Sequence, residues 1–289
     1  MLFSVNTMIS VGRVGLDRGL QLLLDAGFPA LDLTLYAHND YLFSEDYKAT
    51  AKRIRTLVES AGAMFNQAHA PFGGGYDNYV NNLVPTFPRV FEFAGLIGVK
   101  NLIVHPLVKR RHYGFEREHF EMNMEFYSSL IPYAKDTGVK IAIENMWQRH
   151  PVTGSICDSV CSDPCELAKY YDTLDNPDIF TVCLDLGHVA ITGREPEDSI
   201  KIIGSGRLGA IHAHDVDYIT DTHTLPGLGK INWNAVCASL AEISYKGDFT
   251  LEIDNFAKNF DEEYLPTAFR FAADTARNLA EKVEKCKQK

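Results

Sequence analysis

The sequence lacks long apolar runs and is poor in cysteine, and each of these absences excludes a class of protein. No apolar run approaches the roughly 18 to 20 residues that cross a bilayer, and the opening MLFSVNTMISVG lacks the basic segment of a secretion signal. Six cysteines in 289 residues are too few for a disulfide scaffold. We therefore expect a cytoplasmic protein with reduced cysteines and no membrane partner.

Basic residues and linkers are also scarce. The chain has 28 Lys and Arg against 38 Asp and Glu, a net charge of −10, which makes nucleic acid a disfavoured partner without excluding a local basic strip. No low-complexity stretch or Gly/Ser-rich linker marks a domain boundary. The length of 289 residues fits either two domains of roughly 150 residues or one α/β barrel of about 250.

What the sequence does contain is a repeated pattern of a strand followed by a helix. Eight short apolar runs end at Thr7, Leu35, His69, His105, Glu144, Asp185, His212 and Glu252. The segments between them have helical periodicity, and several end in a glycine shortly before the next run, as at Gly27, Gly62, Gly98 and Gly138. Eight consecutive units predict an α/β fold in which residues 1–289 form a single (β/α)8 TIM barrel.

The last six runs each end in a side chain that can bind a metal. Barrel active sites lie at the carboxyl ends of the strands, so these six side chains should share one mouth. A lone His or Glu there is usually a hydrogen-bonded loop residue, but six in register favour a metal site. Converging carboxylates repel one another unless a cation neutralises them. Mixed imidazole and carboxylate ligands suit Zn²⁺ or Mn²⁺ better than Mg²⁺ or Ca²⁺.

Other polar residues near these strand ends are further candidates. His188 follows Asp185 in CLDLGH, and Asp221 and His223 lie in the loop after the seventh run. In IHAHD, we expect His212 to face the lumen and His214 to point away from it. We therefore choose His212 as the ligand there and consider Asp215 as a partner behind it. The three cysteines Cys157, Cys161 and Cys165 lack the usual C-x2-C spacing of a metal site, and we interpret them as an incidental cluster.

The motifs QAHAPF, LIVHP, IAIEN, CLDLGH, IHAHD, DTHTLPGLGKINW and LEID together resemble the xylose isomerase-like TIM-barrel superfamily over essentially the whole chain. This superfamily groups sugar isomerases and epimerases, inosose-type dehydratases and endonuclease IV enzymes. In the epimerases, one divalent ion is held by the counterparts of Glu144, Asp185, His212 and Glu252. The resemblance implies that the two glutamates are also the acid/base pair, acting through an enediolate, and that His188 contacts the substrate.

The resemblance also implies a rival function, because endonuclease IV enzymes hold three zinc ions with nine ligands. All nine have counterparts here: His69, His105, Glu144, Asp185, His188, His212, Asp221, His223 and Glu252. DNA binding needs basic residues that follow phosphates. The loops after the second and third runs contain no Lys or Arg, and the candidate basic strip is Lys109–Arg111 after the fourth.

Aromatic residues in the predicted mouth loops favour a small carbohydrate as the partner, because aromatic rings stack on sugar or aglycone faces. These residues are Tyr36, Tyr41, Phe72, Tyr76, Trp147 and Trp233. We therefore predict a metal-dependent sugar, sugar-phosphate or polyol isomerase or epimerase of carbohydrate metabolism. An abasic-site endonuclease, a dehydratase or lyase on a keto-sugar or keto-polyol, and a catalytically silent sugar-binding subunit remain alternatives. The number of metal ions stays open, as does assembly into a homo-oligomer.

Overall fold

A computed structural model of the chain describes residues 1–35 and 40–288. Its ten strands, in chain order, are β1 Phe3–Asn6, β2 Ala30–Thr34, β3 Met64–His69, β4 Asn101–Val104, β5 Lys140–Glu144, β6 Trp147–Arg149, β7 Ile156–Asp158, β8 Phe180–Asp185, β9 Leu208–Ala213 and β10 Phe249–Leu251. Eight of them form a closed parallel barrel in the order β1-β2-β3-β4-β5-β8-β9-β10. The predicted (β/α)8 barrel is therefore confirmed, with a strand at each of the eight apolar runs.

The helices surround this barrel and connect its strands. They are α1 Met8–Val14, α2 Leu16–Asp25, α3 Asp40–Phe43, α4 Tyr47–Ser60, α5 Gly75–Asn78, α6 Phe87–Ile97, α7 Glu116–Thr137, α8 Pro164–Leu174, α9 Leu186–Ile191, α10 Pro196–Ile203, α11 Trp233–Glu242 and α12 Leu265–Lys287. Short π and 3-10 turns, Tyr79–Leu83 and Val84–Thr86, lead into α6, and a 3-10 turn at Glu262–Tyr264 precedes α12. Within the described ranges, no helix combines the length and the apolar character that crossing a bilayer requires.

Two of the glycines predicted to end helices show why the connections from helix to strand are short. Gly98 ends α6 with φ 84° and Gly138 ends α7 with φ 72°, both in the left-handed region that favours glycine. The next strands begin at Asn101 and Lys140. The chain therefore returns from each of these helices to the amino end of the barrel within three residues. The longer loops lie at the carboxyl ends of the strands.

The interior of the barrel is only partly apolar. Ile103, Ala142, Cys183 and Ala210 form a small buried cluster from four adjacent strands. Polar side chains also fill the lumen: Ser4 Oγ donates to Thr250 Oγ1 at 2.8 Å, and Asn66 Nδ2 donates to Ser4 Oγ at 3.0 Å. Because buried polar groups need partners, this network fixes its side chains. It continues toward the mouth, where Thr250 Oγ1 lies 3.3 Å from Gln67 Oε1.

The small hairpin of β6 and β7 is outside the predicted pattern. Trp147 pairs with Asp158 and Arg149 with Ile156 in antiparallel register. The hairpin follows β5 directly, so it rises from the carboxyl end of the barrel. It therefore adds a wall to the mouth at which the candidate site residues converge.

Candidate active site

Four of the predicted ligands meet at the carboxyl ends of adjacent barrel strands. Glu144 ends β5, Asp185 ends β8, His212 lies in β9, and Glu252 directly follows β10. One ligand atom from each lies within 4.8 Å of those of the other three, and all four residues are buried. The structure thus brings together the set chosen from the sequence.

His212 is the centre of this group. Its Nδ1 lies 2.8 Å from Glu144 Oε1 and 3.0 Å from Glu252 Oε2, with Asp185 Oδ2 at 4.0 Å. Glu144 Oε2 and Glu252 Oε2 are buried, and among the described residues their polar contacts are with imidazole nitrogens and not with backbone N–H or hydroxyl donors. Buried carboxylates held this close together repel one another, and a divalent cation among them removes that cost. One imidazole and three carboxylates fit Zn²⁺ or Mn²⁺.

Two residues behind His212 were not predicted from the sequence. The Gln67 amide lies 3.0 Å from His212 Nε2, and Asp32 Oδ2 lies 3.5 Å from the same nitrogen. Gln67 Nε2 also donates to Asp32 Oδ2 at 3.0 Å. Groups that hold the far nitrogen of a metal-binding His fix the ring orientation. The available signal was a polar residue in the middle of each apolar run, in ALDLTL and MFNQAH.

The carboxylates and imidazoles shift one another's pKa in opposite directions. Burial lowers the pKa of His212, but the acidic groups around it, Cys183, Glu252 and Glu144, outweigh burial and raise it well above its ordinary value. Burial raises the pKa of Glu144, but His212 and His105 outweigh it and lower that pKa well below its ordinary value. At neutral pH the metal-free group is therefore an imidazolium among carboxylates.

Metal binding at this group is expected to release about one proton per ion at pH 7, because a metal ligand must be a neutral imidazole. The raised pKa of His212 means that the ring is protonated before the metal binds. The apparent affinity for the metal ion should therefore rise with pH over the range in which the metal-free His212 ring is protonated. Calorimetric titration with Zn²⁺ in buffers of different ionisation enthalpy measures the proton count. Binding without proton release at pH 7 would contradict this charge assignment.

His69 and His105 flank Glu144 on its other side. His105 Nε2 lies 2.9 Å from Glu144 Oε2, and His69 Nε2 lies 3.4 Å from the same oxygen. The two Nε2 atoms are 3.1 Å apart. Phe72 packs against both rings, with centroid distances of 4.8 Å to His69 and 4.4 Å to His105. These two histidines therefore belong to the same mouth as the central group.

His188, Asp221 and His223 form a second group beside Asp185. His223 Nε2 lies 3.1 Å from Asp221 Oδ2, and His188 Nε2 lies 3.8 Å from it. Burial lowers the pKa of His188, but Asp185 and Asp221 outweigh it and raise that pKa to about 10. Trp147 Nε1 donates to Asp221 Oδ2 at 3.0 Å. All nine residues that the sequence singled out thus converge on one barrel mouth.

The prediction that His214 points away from the lumen is wrong. Its Nε2 lies 3.0 Å from Asp185 Oδ1, and its ring stacks on His223 with a centroid distance of 3.9 Å. Side chains alternate along a strand with a period of two, so residues 212 and 214 share a face, and the expectation that they point in opposite directions was a misapplication of that rule. His214 therefore joins His188, Asp221 and His223 as a residue with a ligand atom in the second group.

Asp215 organises the loop after β9. Its carboxylate accepts hydrogen bonds from Gly227 N at 2.7 Å, Ile231 N at 3.1 Å and Trp233 Nε1 at 2.8 Å. Asp215 N and Thr224 O are also paired at 2.8 Å. These bonds close the segment that carries Asp221 and His223. Asp215 thus holds two candidate ligands through the backbone of their loop.

Gly187→Ala is expected to destabilise the protein by about 1 to 3 kcal/mol, because an added side-chain carbon overpacks a filled site. A Cβ at Gly187 would collide with the His214 imidazole. Displacing that ring also breaks its contact with Asp185 and should weaken metal binding. Thermal unfolding and metal titration measure the two effects. Gly12→Ala is the matched control, since a Cβ there meets no atom within 4 Å; equal melting temperatures of the two variants would contradict the packing account.

A cavity of about 470 Å³ opens above the ligands. Of the predicted aromatic lining, Phe72, Tyr76 and Trp147 face this cavity. Trp233 does not line it, because its ring is buried and packs against Phe249. Tyr41 packs against Phe93, with ring centroids 5.9 Å apart, and is also absent from the described lining. Tyr36 lies outside the described residues.

The predicted basic strip after β4 is engaged in surface ion pairs. Lys109 Nζ lies 3.7 Å from Glu118 Oε1, and Arg110 Nη2 lies 3.3 Å from the same oxygen. Both side chains are about half exposed. Their positive charge is thereby partly neutralised by an acidic residue of α7.

Comparison with known proteins places the chain in a family. The family described as xylose isomerase-like TIM barrel matches residues 20–275. An uncharacterized protein of Methanocaldococcus jannaschii is 29% identical over 210 residues, 68% of this chain and 69% of that protein. A D-tagatose 3-epimerase-like protein has a TM-score of 0.77 at 20% identity, over 100% of this chain and 99% of that one. The IOLI protein with a bound zinc atom has a TM-score of 0.73 at 20% identity, over 99% of both chains. The chain therefore belongs to the xylose isomerase-like TIM-barrel family.

Proposed function

We propose that this chain is a metal-dependent sugar or polyol isomerase or epimerase that moves a proton at a carbon next to a carbonyl group. The observation that carries the proposal is the pair Glu144 and Glu252. Their carboxylates come within 2.8 Å and 3.0 Å of the same nitrogen, His212 Nδ1, from strands separated by β8 and β9. A carbon bound above His212 would have a carboxylate on either side, as removal and return of a proton require.

The residues of the site have separate tasks in this proposal. A divalent ion, zinc or manganese, would be held by Glu144, Asp185, His212 and Glu252, and it would lower the cost of negative charge on the substrate oxygens. Burial raises the pKa of Glu252, but His212 outweighs it and lowers that pKa well below its ordinary value, so this side chain is ionised at neutral pH. Glu144 is ionised for the same reason.

His188 has the task of binding the substrate. It lines the cavity, and its raised pKa of about 10 keeps it protonated at neutral pH in the metal-free protein. A protonated imidazole donates a hydrogen bond and stabilises negative charge on an oxygen. Asp185 fixes the start of α9 by accepting from His188 N at 2.6 Å, and the His188 ring is held by its Nδ1, which lies 2.9 Å from Asn145 O.

The names of related structures support a small carbohydrate as the partner. One similar fold is a D-tagatose 3-epimerase-like protein, and another is an L-ribulose 3-epimerase with a TM-score of 0.73 at 17% identity. The zinc atom of the IOLI protein supports a divalent cofactor. We take residues 1–289 as one domain that carries the whole site.

A zinc-dependent abasic-site endonuclease is the second candidate, and the two additional groups of ligands favour it. His69 and His105 beside Glu144, and His188, Asp221 and His223 beside Asp185, offer ligand atoms for further ions. The cavity is poorly suited to binding DNA phosphates, because none of the described residues that line it is Lys or Arg. Lys109 and Arg110 are paired with Glu118. The sugar enzyme is therefore preferred.

A product screen separates the two functions. The chain, loaded with Zn²⁺ or Mn²⁺, is incubated with ketoses, keto-polyols and their phosphates, and the products are separated by chromatography. A parallel sample receives a duplex with one abasic site, and elemental analysis counts the bound ions. Epimer or isomer formation with one ion per chain is the expected result. Duplex cleavage with three ions per chain and no sugar product would replace this function by the nuclease.

A further inference from the structure

The cavity above the candidate ligands is polar on one side and apolar on the other. The ligand residues, together with Gln148 and Ser159, supply the polar lining, and the apolar lining includes Met8, Phe72, Tyr76, Pro106, Met146 and Trp147. These six come from segments that follow β1, β3, β4 and β5. Buried hydroxyl groups need hydrogen-bond partners, which an apolar wall does not supply. The wall is therefore better matched to a part of the substrate without hydroxyl groups.

The aromatic residues of this wall are fixed next to the reacting groups. The Phe72 ring lies 4.4 Å from the His105 ring, centroid to centroid. On the other side, the Trp147 ring lies 6.5 Å from that of His188 and is tied to Asp221 by its Nε1. A substituent attached directly to the reacting sugar would reach these rings without a spacer. The wall is thus an extension of the proposed active site.

Charge in the cavity disfavours an anionic substituent. Its described lining includes the carboxylates of Glu144, Asp221, Glu252 and Asp254 and contains no Lys or Arg. The sequence Tyr36–Asn39, which the structure does not describe, has no Lys or Arg either. Phosphate groups are usually bound by such cations. The substituent that suits this wall is therefore uncharged.

The positive residues near the mouth lie in a neighbouring hollow. Lys109 and Arg110 line a space of about 420 Å³ that shares Gly75 and Tyr76 with the cavity, and both pair with Glu118. Arg149 lies over the Trp147 ring, but its Nη1 donates to Gly154 O at 3.0 Å within the hairpin. In each arrangement the cation is already paired with an oxygen atom of the protein.

We propose that the apolar wall is a subsite for a flat, uncharged aglycone, so that the substrate is a glycoside that carries a carbonyl group on its sugar ring and not a sugar phosphate. The sugar ring occupies the polar side, and the aglycone stacks against Phe72, Tyr76 and Trp147, as aromatic groups do in offset or edge-to-face contacts. This inference rests on the proposed function, because it assumes that a sugar binds beside Glu144 and Glu252.

Binding of matched probes to the metal-loaded chain tests the subsite. The probes are the methyl and phenyl β-D-glycosides of glucose, galactose and mannose, together with the free hexoses and their 6-phosphates, measured by calorimetry. For any sugar that binds, the phenyl glycoside should bind at least tenfold more tightly than the methyl glycoside, and the 6-phosphate no more tightly than the free hexose. Equal binding of the two glycosides, or tightest binding of the phosphate, would overturn the subsite.

Variants locate the preference on the wall. Tyr76→Ser and Phe72→Leu should each reduce the ratio of phenyl glycoside affinity to methyl glycoside affinity by several-fold. Tyr113→Ser is the matched control, because Tyr113 is 82% exposed and does not line the cavity. Thermal unfolding checks that every variant is folded. An unchanged ratio in both folded wall variants would place the aglycone elsewhere and overturn the proposal.

Failure of the subsite and failure of the proposed function give different results. If sugars bind and are converted but the phenyl group brings no gain, only the subsite is wrong. If no sugar or glycoside binds and none is converted in the product screen, the sugar function is wrong and the subsite is rejected with it.

Discussion

Glu252→Gln is expected to reduce kcat by about 10²- to 10⁴-fold, the range in which a positioned acid or base contributes to catalysis. Glutamine keeps the shape of the side chain but removes the charge that accepts a proton, and it is also a weaker metal ligand. Glu144→Gln should have a similar effect, since both carboxylates contact His212 Nδ1. Steady-state kinetics at saturating metal measures the loss, so that weaker metal binding does not hide the loss of the proton carrier.

The fold should survive both substitutions, because the glutamates lie at the ends of strands whose pairing is formed by backbone groups. Circular dichroism and thermal unfolding check this. Glu281→Gln is the control: it removes one carboxylate of a solvent-exposed pair with Lys285, a change worth at most about 1 kcal/mol, and should leave kcat unaltered. Wild-type turnover in both Glu144→Gln and Glu252→Gln would contradict the assignment of the acid/base pair.

Removal of the metal is expected to abolish activity and to lower thermal stability. Three buried carboxylates around one imidazole repel one another and are stabilised by a cation. An ion at 100 times its dissociation constant stabilises the folded chain by about 2.7 kcal/mol. For a chain of this size that energy corresponds to a rise in melting temperature of about 5 °C.

Dialysis against a chelator, verified by elemental analysis, followed by addition of Zn²⁺, Mn²⁺, Mg²⁺ or Ca²⁺, measures both effects. Zn²⁺ or Mn²⁺ should restore activity and melting temperature more effectively than the two ions that prefer all-oxygen sites. The double variant Glu144→Gln/Glu252→Gln should show a much smaller thermal shift with the same ions. Full activity in chain shown to be free of metal would contradict the proposed role of the ion.

The positions of the strands and of the central ligands were predictable from the sequence. Apolar runs that end in His, Glu or Asp at regular spacing carry both kinds of information, since a parallel barrel strand is buried along its length and is polar only at its end. Glu144 and Asp185 are the last residues of their strands, as the runs VKIAIE and FTVCLD indicate. The convergence of these residues then follows from barrel closure.

Residues that act through contacts between strands were not predictable in the same way. His214 is a different case: residues two apart on a strand share a face, so alternation in fact places it on the same side as His212, and the expectation that it points outward was an error in applying the pattern. Asp32 and Gln67 lie within strands, and only the three-dimensional contact with His212 gives them meaning. A sequence pattern does not reveal such contacts, because they join residues from different strands.

The aromatic residues show the same limit. Trp147 and Trp233 both occur in predicted mouth loops, yet Trp147 faces the cavity and Trp233 is buried against Phe249. The difference comes from the hydrogen-bond partners of the two indoles: Asp221 for Trp147 and Asp215 for Trp233. A local sequence does not specify which distant carboxylate an indole will meet. The direction of a loop side chain therefore had to come from the structure.

Proton transfer by Glu144 and Glu252 is tested by following one hydrogen atom during turnover. The metal-loaded chain is incubated in D₂O with the sugar that the product screen identifies, and substrate and product are examined by NMR and mass spectrometry. We expect deuterium from solvent at the carbon next to the carbonyl group, and no incorporation with Glu252→Gln. Turnover that leaves this carbon free of solvent deuterium would contradict proton transfer by Glu144 and Glu252.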